Sequence, residues 1–278
     1  MAVQDDNASW TILEESRPDE DTNEEIVDDP NVLAEVTLPS RICQLQLFMY
    51  HGNLPKICTD QRWTLNNAAQ QLQQSMFPIL VKKFLYRQLY PNSEISFADA
   101  MKNSYFEIDS KIHVHNSAVA TFRAPSDICG IYGMRREHIR ATSSWRGGSA
   151  RYDSVLINSN PDLEGTRAFE VGRVFLFFSF QHQNETYPCA LIQWYSYVGT
   201  QPDEVTGLWK IEPNTDDDGN PHLAVIHLNA IFRAVHLMPA YCTAEFISKT
   251  ITMHSSLDMF KNFYVNRFAD HHLFANLS

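Results

Sequence analysis

The sequence has no long hydrophobic run. Its longest apolar stretch near the middle, Val174-Phe175-Leu176-Phe177-Phe178, is far too short to cross a bilayer. The N-terminus lacks the basic residues and apolar core of a secretory signal. These absences predict a soluble, intracellular protein, nuclear or cytoplasmic, with no membrane partner. Paired cysteines are missing too. The five present (Cys43, Cys58, Cys129, Cys189 and Cys242) are scattered and form no C-x-x-C pair. This argues against a disulfide framework or a zinc ribbon and predicts buried thiols. No G-x-S-x-G, phosphate-loop or dinucleotide fingerprint occurs. Nothing in the sequence calls for a cofactor, and nothing argues for an enzyme.

The chain does have enough apolar content to fold. With 278 residues, 44% of them apolar and 12% aromatic, it can bury a substantial core. Its net charge of −11 is distributed unevenly. Residues 1–35 hold twelve acidic side chains and one basic one, while residues 36–278 hold 21 of each sign. The sequence therefore predicts an acidic, disordered arm at 1–38 and a neutral folded body. A solvated tail is the simpler expectation for the arm. Docking on a basic face of the body, in competition with DNA, is the sharper one.

Along the body, residues 39–107 read as a helical segment. Ile42, Leu45, Leu47 and Phe48 fit the start of a helix, and 65–74 is helix-compatible. Residues 77–90 give a clear helix with Leu80, Phe84 and Leu85 on one stripe, Pro78 in the first turn and Pro91 as the stop. Ser96 suits the cap of a short helix at 97–102. From 108 to 241 the period shifts to two, predicting a β-rich domain. Strands are expected at 111–122, 151–158, 170–180, 186–198, 208–212, 223–228 and 236–241. A helix is expected at 134–140 and a helical turn at 229–235. Residues 242–278 are expected to carry one helix, about 256–274, packed on the β-rich domain. The fold class predicted is α+β, with a central antiparallel, small-barrel-like sheet, N-terminal helices and a C-terminal covering helix.

Three constellations suggest chemistry. Arg123, Arg135, Arg136, Arg140, Arg146 and Arg151 fall within one loop-rich stretch, opposed inside it only by Asp127 and Glu137. Arginine binds phosphate bidentately, and the interleaved Tyr132 and Trp145 suit base stacking. This is the best nucleic-acid candidate, although pairing of these arginines with carboxylates of the body is the plainer alternative. His113 and His115, at i and i+2 on a strand, are weak metal candidates, because no third ligand stands at a recognised spacing. Asp216-Asp217-Asp218-Gly219-Asn220 echoes a calcium loop but has His227 where the twelfth-position glutamate belongs, so a hairpin turn is expected.

Several phrases resemble one family. FLYRQLYPNS (84–93), HNSAVATFRAPSDICGIYGMRREHIRATSSWRGGSARYDSVLIN (115–158), VGRVFLFFSF (171–180), YPCALIQWYSYVG (187–199), PDEVTGLWKIEP (202–213), AVIHLNAIFRAVHLMPAY (224–241) and SSLDMFKNFYVNRFADHH (255–272) occur in order. Together they resemble the C-terminal region of proteins from fungal Plavaka-type elements, relatives of the CACTA group of DNA transposons. The resemblance implies a transposable-element protein whose metal-binding DDE carboxylates lie upstream of the matched region, so no catalytic carboxylate maps onto this chain. It implies a non-catalytic accessory domain that contacts DNA or a chromatin protein in the nucleus. Two alternatives remain. One is a protein-interaction module with an aromatic groove of Phe175, Phe177, Trp194, Tyr195 and Trp209, and the other is a metal-dependent nuclease.

Overall fold

The computed structural model describes residues 43–48, 62–92, 97, 111–124, 134–159, 163–216, 218–241, 251–252 and 255–278. Its strands are β1 (Cys43–Phe48), β2 (Arg62–Trp63), β3 (Ile112–His115), β4 (Ser117–Arg123), β5 (Met134–Thr142), β6 (Arg151–Tyr152) and β7 (Ser154–Asn158). They continue with β8 (Phe169–His182), β9 (Glu185–Tyr197), β10 (Lys210–Pro213), β11 (Leu223–His227), β12 (Ile231–Ala234), β13 (Leu237–Pro239) and β14 (Phe263–Val265). The helices are α1 (Leu65–Leu72), α2 (Phe77–Leu89), α3 (Ser256–Met259) and α4 (His271–Leu277).

The β8–β9 hairpin is the spine. Its aromatic and β-branched residues favour extended backbone. Gln183 and Asn184 form its two-residue turn, both with positive φ (51° and 67°), as a type I′ turn requires. The ladder slips between Val174 and Leu176, so Phe175 is a bulge. The slip lets Val174 and Phe177 enter one core while Leu176, Phe178 and Phe180 enter another. In the second core α1 and α2 cover the hairpin tip: Phe77 meets Phe178 edge-on at 5.3 Å, and Phe84 meets Phe180 at 6.4 Å. Thr64 caps α1 by accepting a hydrogen bond from the Asn67 amide. Pro78 occupies the first turn of α2, as expected.

Each edge of the hairpin is shared by two strands. β7 and β3 pair with β8, and β10 and β11 pair with β9. The path runs β12-β7-β8-β9-β10-β14-β13, and β2 pairs β3. A second sheet runs β1-β4-β5-β6. All these pairings are antiparallel, so the α+β class holds. The sheet does not close into a barrel; among the described strands β12 and β13 end its path. β2 pairs with β3, and β14 pairs with β10 and β13, so all three body segments contribute to one ten-stranded sheet.

Four local expectations change. The helix expected from Ile42 to Phe48 is β1, in register with β4 (Leu45 opposite Ala120). The helix expected at 134–140 is part of β5, whose Ile139 faces the core from opposite Ala118. The turn expected at 229–235 is a short 3-10 turn, Leu228–Ala230, followed by β12. The long C-terminal helix is replaced by α3, β14 and α4. Phe263 and Val265 read with period two because β10 and β13 offer ladder edges on both sides. The acidic arm at 1–38 lies outside the described residues, as does the expected helix at 97–102 apart from Phe97.

Candidate nucleic-acid interface

The five arginines whose side chains are described fall into separate environments. β5 alternates: paired positions share a face, so Arg135, Glu137 and Ile139 look the same way as core residues Phe122, Ala120 and Ala118. Arg136, His138 and Arg140 take the opposite face. At about 3.3 Å per residue, Arg136 and Arg140 stand about 13 Å apart along that strand. Arg136 is exposed and Arg140 half-buried. Arg123 ends β4 opposite Met134, and its side chain lies outside the described residues.

Arg140, Arg146 and Arg151 converge on Trp145. Their guanidinium carbons lie 4.2, 5.3 and 5.6 Å from the indole centroid. The β5–β6 loop creates this arrangement. The Gly148 amide donates to the Trp145 carbonyl at 2.9 Å, and the Trp145 amide donates to the Ser149 carbonyl at 3.0 Å. Arg146 (φ 51°) and Gly147 (φ 74°) occupy the left-handed centre of that turn. Glycine accepts this backbone freely, whereas arginine bears some strain. Asp153 anchors the base of the loop: its carboxylate accepts from the Arg140 amide and from Arg151 Nε, both at 2.9 Å. Trp145 therefore serves as a pedestal for guanidinium groups. Cation–π contacts contribute roughly 0.5–2 kcal/mol each and hold the charges in place before any ligand arrives. Tyr132, the other aromatic expected to stack on bases, lies outside the described residues.

Arg135 belongs to a different assembly, one the sequence reading missed. It lies 3.8 Å from Asp270, which also pairs with the fully buried Arg233. Arg233 donates to Asp270 at 3.0 and 2.6 Å and to Glu137 at 3.2 Å, and its guanidinium lies 4.5 Å from the Phe122 ring centroid. It also donates to His272 Nδ1 at 3.0 Å. Arginine has no acceptor, so that nitrogen is unprotonated. Burial pushes the Asp270 carboxyl up, but hydrogen bonds from Arg233 and from the Leu273 amide, with the charges of Arg233 and Arg135, hold it below its ordinary range. Arg173 is a second buried cation, paired with Asp258 and close to Phe175 and Tyr152. The available signal was an arginine inside an apolar phrase, Ile231-Phe232-Arg233-Ala234. Such a residue is buried with a partner or not buried at all.

The other candidates resolve as follows. His115 is buried and bonds Ser179 Oγ through Nε2 at 3.2 Å. Burial, then the neighbouring His113, lowers its pKa to about 4. No group of three or more His, Cys, Asp or Glu side chains able to hold a metal occurs among the described residues. Cys189 is a buried free thiol. The acidic loop is a hairpin turn: Asp216 Oδ1 accepts from the amides of Asp218 and Asn220. Of the proposed aromatic groove, Phe177 and Tyr195 are core, while Phe175, Trp194 and Trp209 are half-buried. Among the described residues no helix is long and apolar enough to cross a membrane. No family model, curated protein or solved structure matches the chain.

Proposed function

We propose that this chain is a non-catalytic, transposon-derived accessory domain that contacts the phosphate backbone of DNA through its β5–β6 loop. The observation that carries this reading is the gathering of Arg140, Arg146 and Arg151 around Trp145 on a short, strained turn. Pre-ordered guanidinium groups bind phosphate bidentately with little further loss of freedom. Exposed Arg136 extends the basic face along β5. With three guanidinium groups gathered on one indole, the loop suits backbone contact better than base readout. The resemblance of residues 84–272 to Plavaka-type proteins supports a setting on DNA in the nucleus.

The test is retention of labelled duplex DNA by the chain and by an Arg136→Glu, Arg140→Glu, Arg146→Glu variant across a salt series. Arg135 is left alone because it pairs with Asp270. The wild type is expected to show a falling log affinity with log salt, with a slope of about −0.9 per phosphate neutralised. The variant is expected to lose retention while keeping its melting temperature. Equal, salt-insensitive retention by both proteins overturns the reading.

A further inference from the structure

A separate part of the sheet carries an open cavity of about 590 Å3, lined by Arg167, Glu170, Trp194, Ser196, Asn214 and His222 together with backbone of the neighbouring strands. Register explains why these groups converge. Gly172 pairs with Trp194 and Val171 with Tyr195, which puts Glu170 opposite Ser196, and alternation gives Glu170, Trp194 and Ser196 one common face. The wall is fixed by a closed ring of three backbone hydrogen bonds. The Trp194 amide donates to the His222 carbonyl (3.1 Å), the His222 amide to the Asn214 carbonyl (2.8 Å), and the Asn214 amide to the Trp194 carbonyl (2.8 Å). Asp216 closes the turn beyond, so Asn214 and His222 leave it from fixed positions. At the other end, Arg167 lies 5.0 Å from the Tyr197 ring centroid and 5.1 Å from that of Trp209. Tyr197 is anchored in turn by its single hydroxyl proton, shared between the carbonyls of Thr166 and Phe169 at 3.0 Å each.

Among the described residues, the side chains of Trp194, Asn214 and Ser196 have no hydrogen-bond partner, and Arg167 and Glu170 form no ion pair. A half-buried indole that lines one cavity with a preset guanidinium and a carboxylate is matched to one kind of ligand. The ligand has a planar ring to stack on Trp194, N–H donors for Glu170 and an anionic end for Arg167. We infer that this cavity is a nucleotide site, and that it prefers guanine, whose adjacent ring and exocyclic N–H groups can both donate to one carboxylate. Its size falls in the ordinary range of small-molecule sites, about 300–1,000 Å3. Glu170 lines the same cavity as Arg167, so a ligand that offers an anion without N–H donors is disfavoured there. The site shares no residue with the Trp145 loop and stands whether or not that loop binds DNA.

The experiment is calorimetric titration of the full chain with GMP, AMP, CMP, UMP and inorganic phosphate. GMP is expected to bind at least about tenfold tighter than the other three nucleotides, a difference that hydrogen-bond matching of one base edge supplies. Phosphate is expected to give no heat. Glu170→Gln, an exposed change that leaves the fold intact, should erase the preference for GMP. Arg167→Gln should weaken GMP by about fivefold or more, the scale of one charge-assisted contact. Arg140→Glu with Arg146→Glu should leave GMP binding unchanged. The inference is overturned if no nucleotide saturates the chain by about 10 mM. It is also overturned if all four bind alike, if Glu170→Gln keeps the preference, or if the loop variant abolishes binding.

Discussion

Arg233 and Asp270 form a two-pronged ion pair, with N···O distances of 3.0 and 2.6 Å, that joins β12 to the first turn of α4. Asp270 also accepts from the Leu273 amide at 2.8 Å, so one carboxylate caps the helix and neutralises a buried cation. Removing one member of a buried pair leaves the other charge stranded, at a cost of about 3–5 kcal/mol. Glu137 still pairs with Arg233, so Asp270→Asn is expected to cost less than full stranding, about 1–3 kcal/mol in denaturant unfolding. A change below 1 kcal/mol would show that water already reaches Arg233.

Trp145 holds three guanidinium groups, so under the proposed DNA-contacting function its ring is expected to matter more to DNA retention than to folding. Trp145→Ala is expected to weaken retention about fivefold, the loss of roughly 1 kcal/mol of cation–π ordering. Trp145→Phe should recover part of that loss. The check is DNA affinity beside the melting temperature of each variant. Unaltered affinity in the alanine variant would remove the pedestal role.

His115 ties stability to acidity. Its pKa is lowered from 6.5 when unfolded to about 4 when folded, because burial disfavours its charged form. The unfolded chain therefore binds the extra proton between these values. The contribution of this residue is fully present above pH 6.5 and is lost as pH falls towards 4, about 3 kcal/mol in all. His115→Asn should flatten the pH dependence of unfolding free energy between pH 6.5 and 4. An unchanged slope would assign the acid sensitivity to other groups.

Gly165 has φ 64°, and a Cβ there would meet the Ser278 carbonyl oxygen at 2.8 Å. The adjacent Thr166 hydroxyl donates to the Leu277 carbonyl at 2.8 Å. Gly165→Ala is expected to cost more than about 1 kcal/mol and to raise hydrogen exchange selectively in α4. Uniform exchange across the chain would show that the two segments open independently.

Much of the β spine was legible from the residues. The aromatic alternation of 170–180 and 186–198 gave the hairpin, and the apolar stripe with Pro78 and Pro91 gave α2. What period alone missed was decided by partners distant in the chain. Met134–Arg140 is helix-compatible locally, but β4 offers a ladder edge that fixes it as a strand. The C-terminal stretch has a helical stripe, yet Phe263 and Val265 bury better between β10 and β13. The site was half legible. Sequence proximity placed Arg140, Arg146 and Arg151 together correctly, but it could not show that Arg135 turns inward beside Glu137. Nor did spacing connect Glu137, Arg233 and Asp270, which meet only in the folded chain.

The Gln183–Asn184 turn also implies an order in time. β8 and β9 pair across two residues, so their ladder closes with little loss of chain entropy, and isolated hairpins form in about 1–10 μs. β14 must find β10 across about fifty intervening residues, a much slower search. The hairpin is thus set to nucleate, with the C-terminal strand and α4 docking late. Substitutions at the hairpin tip should then slow refolding, whereas those around Asp270 should chiefly speed unfolding.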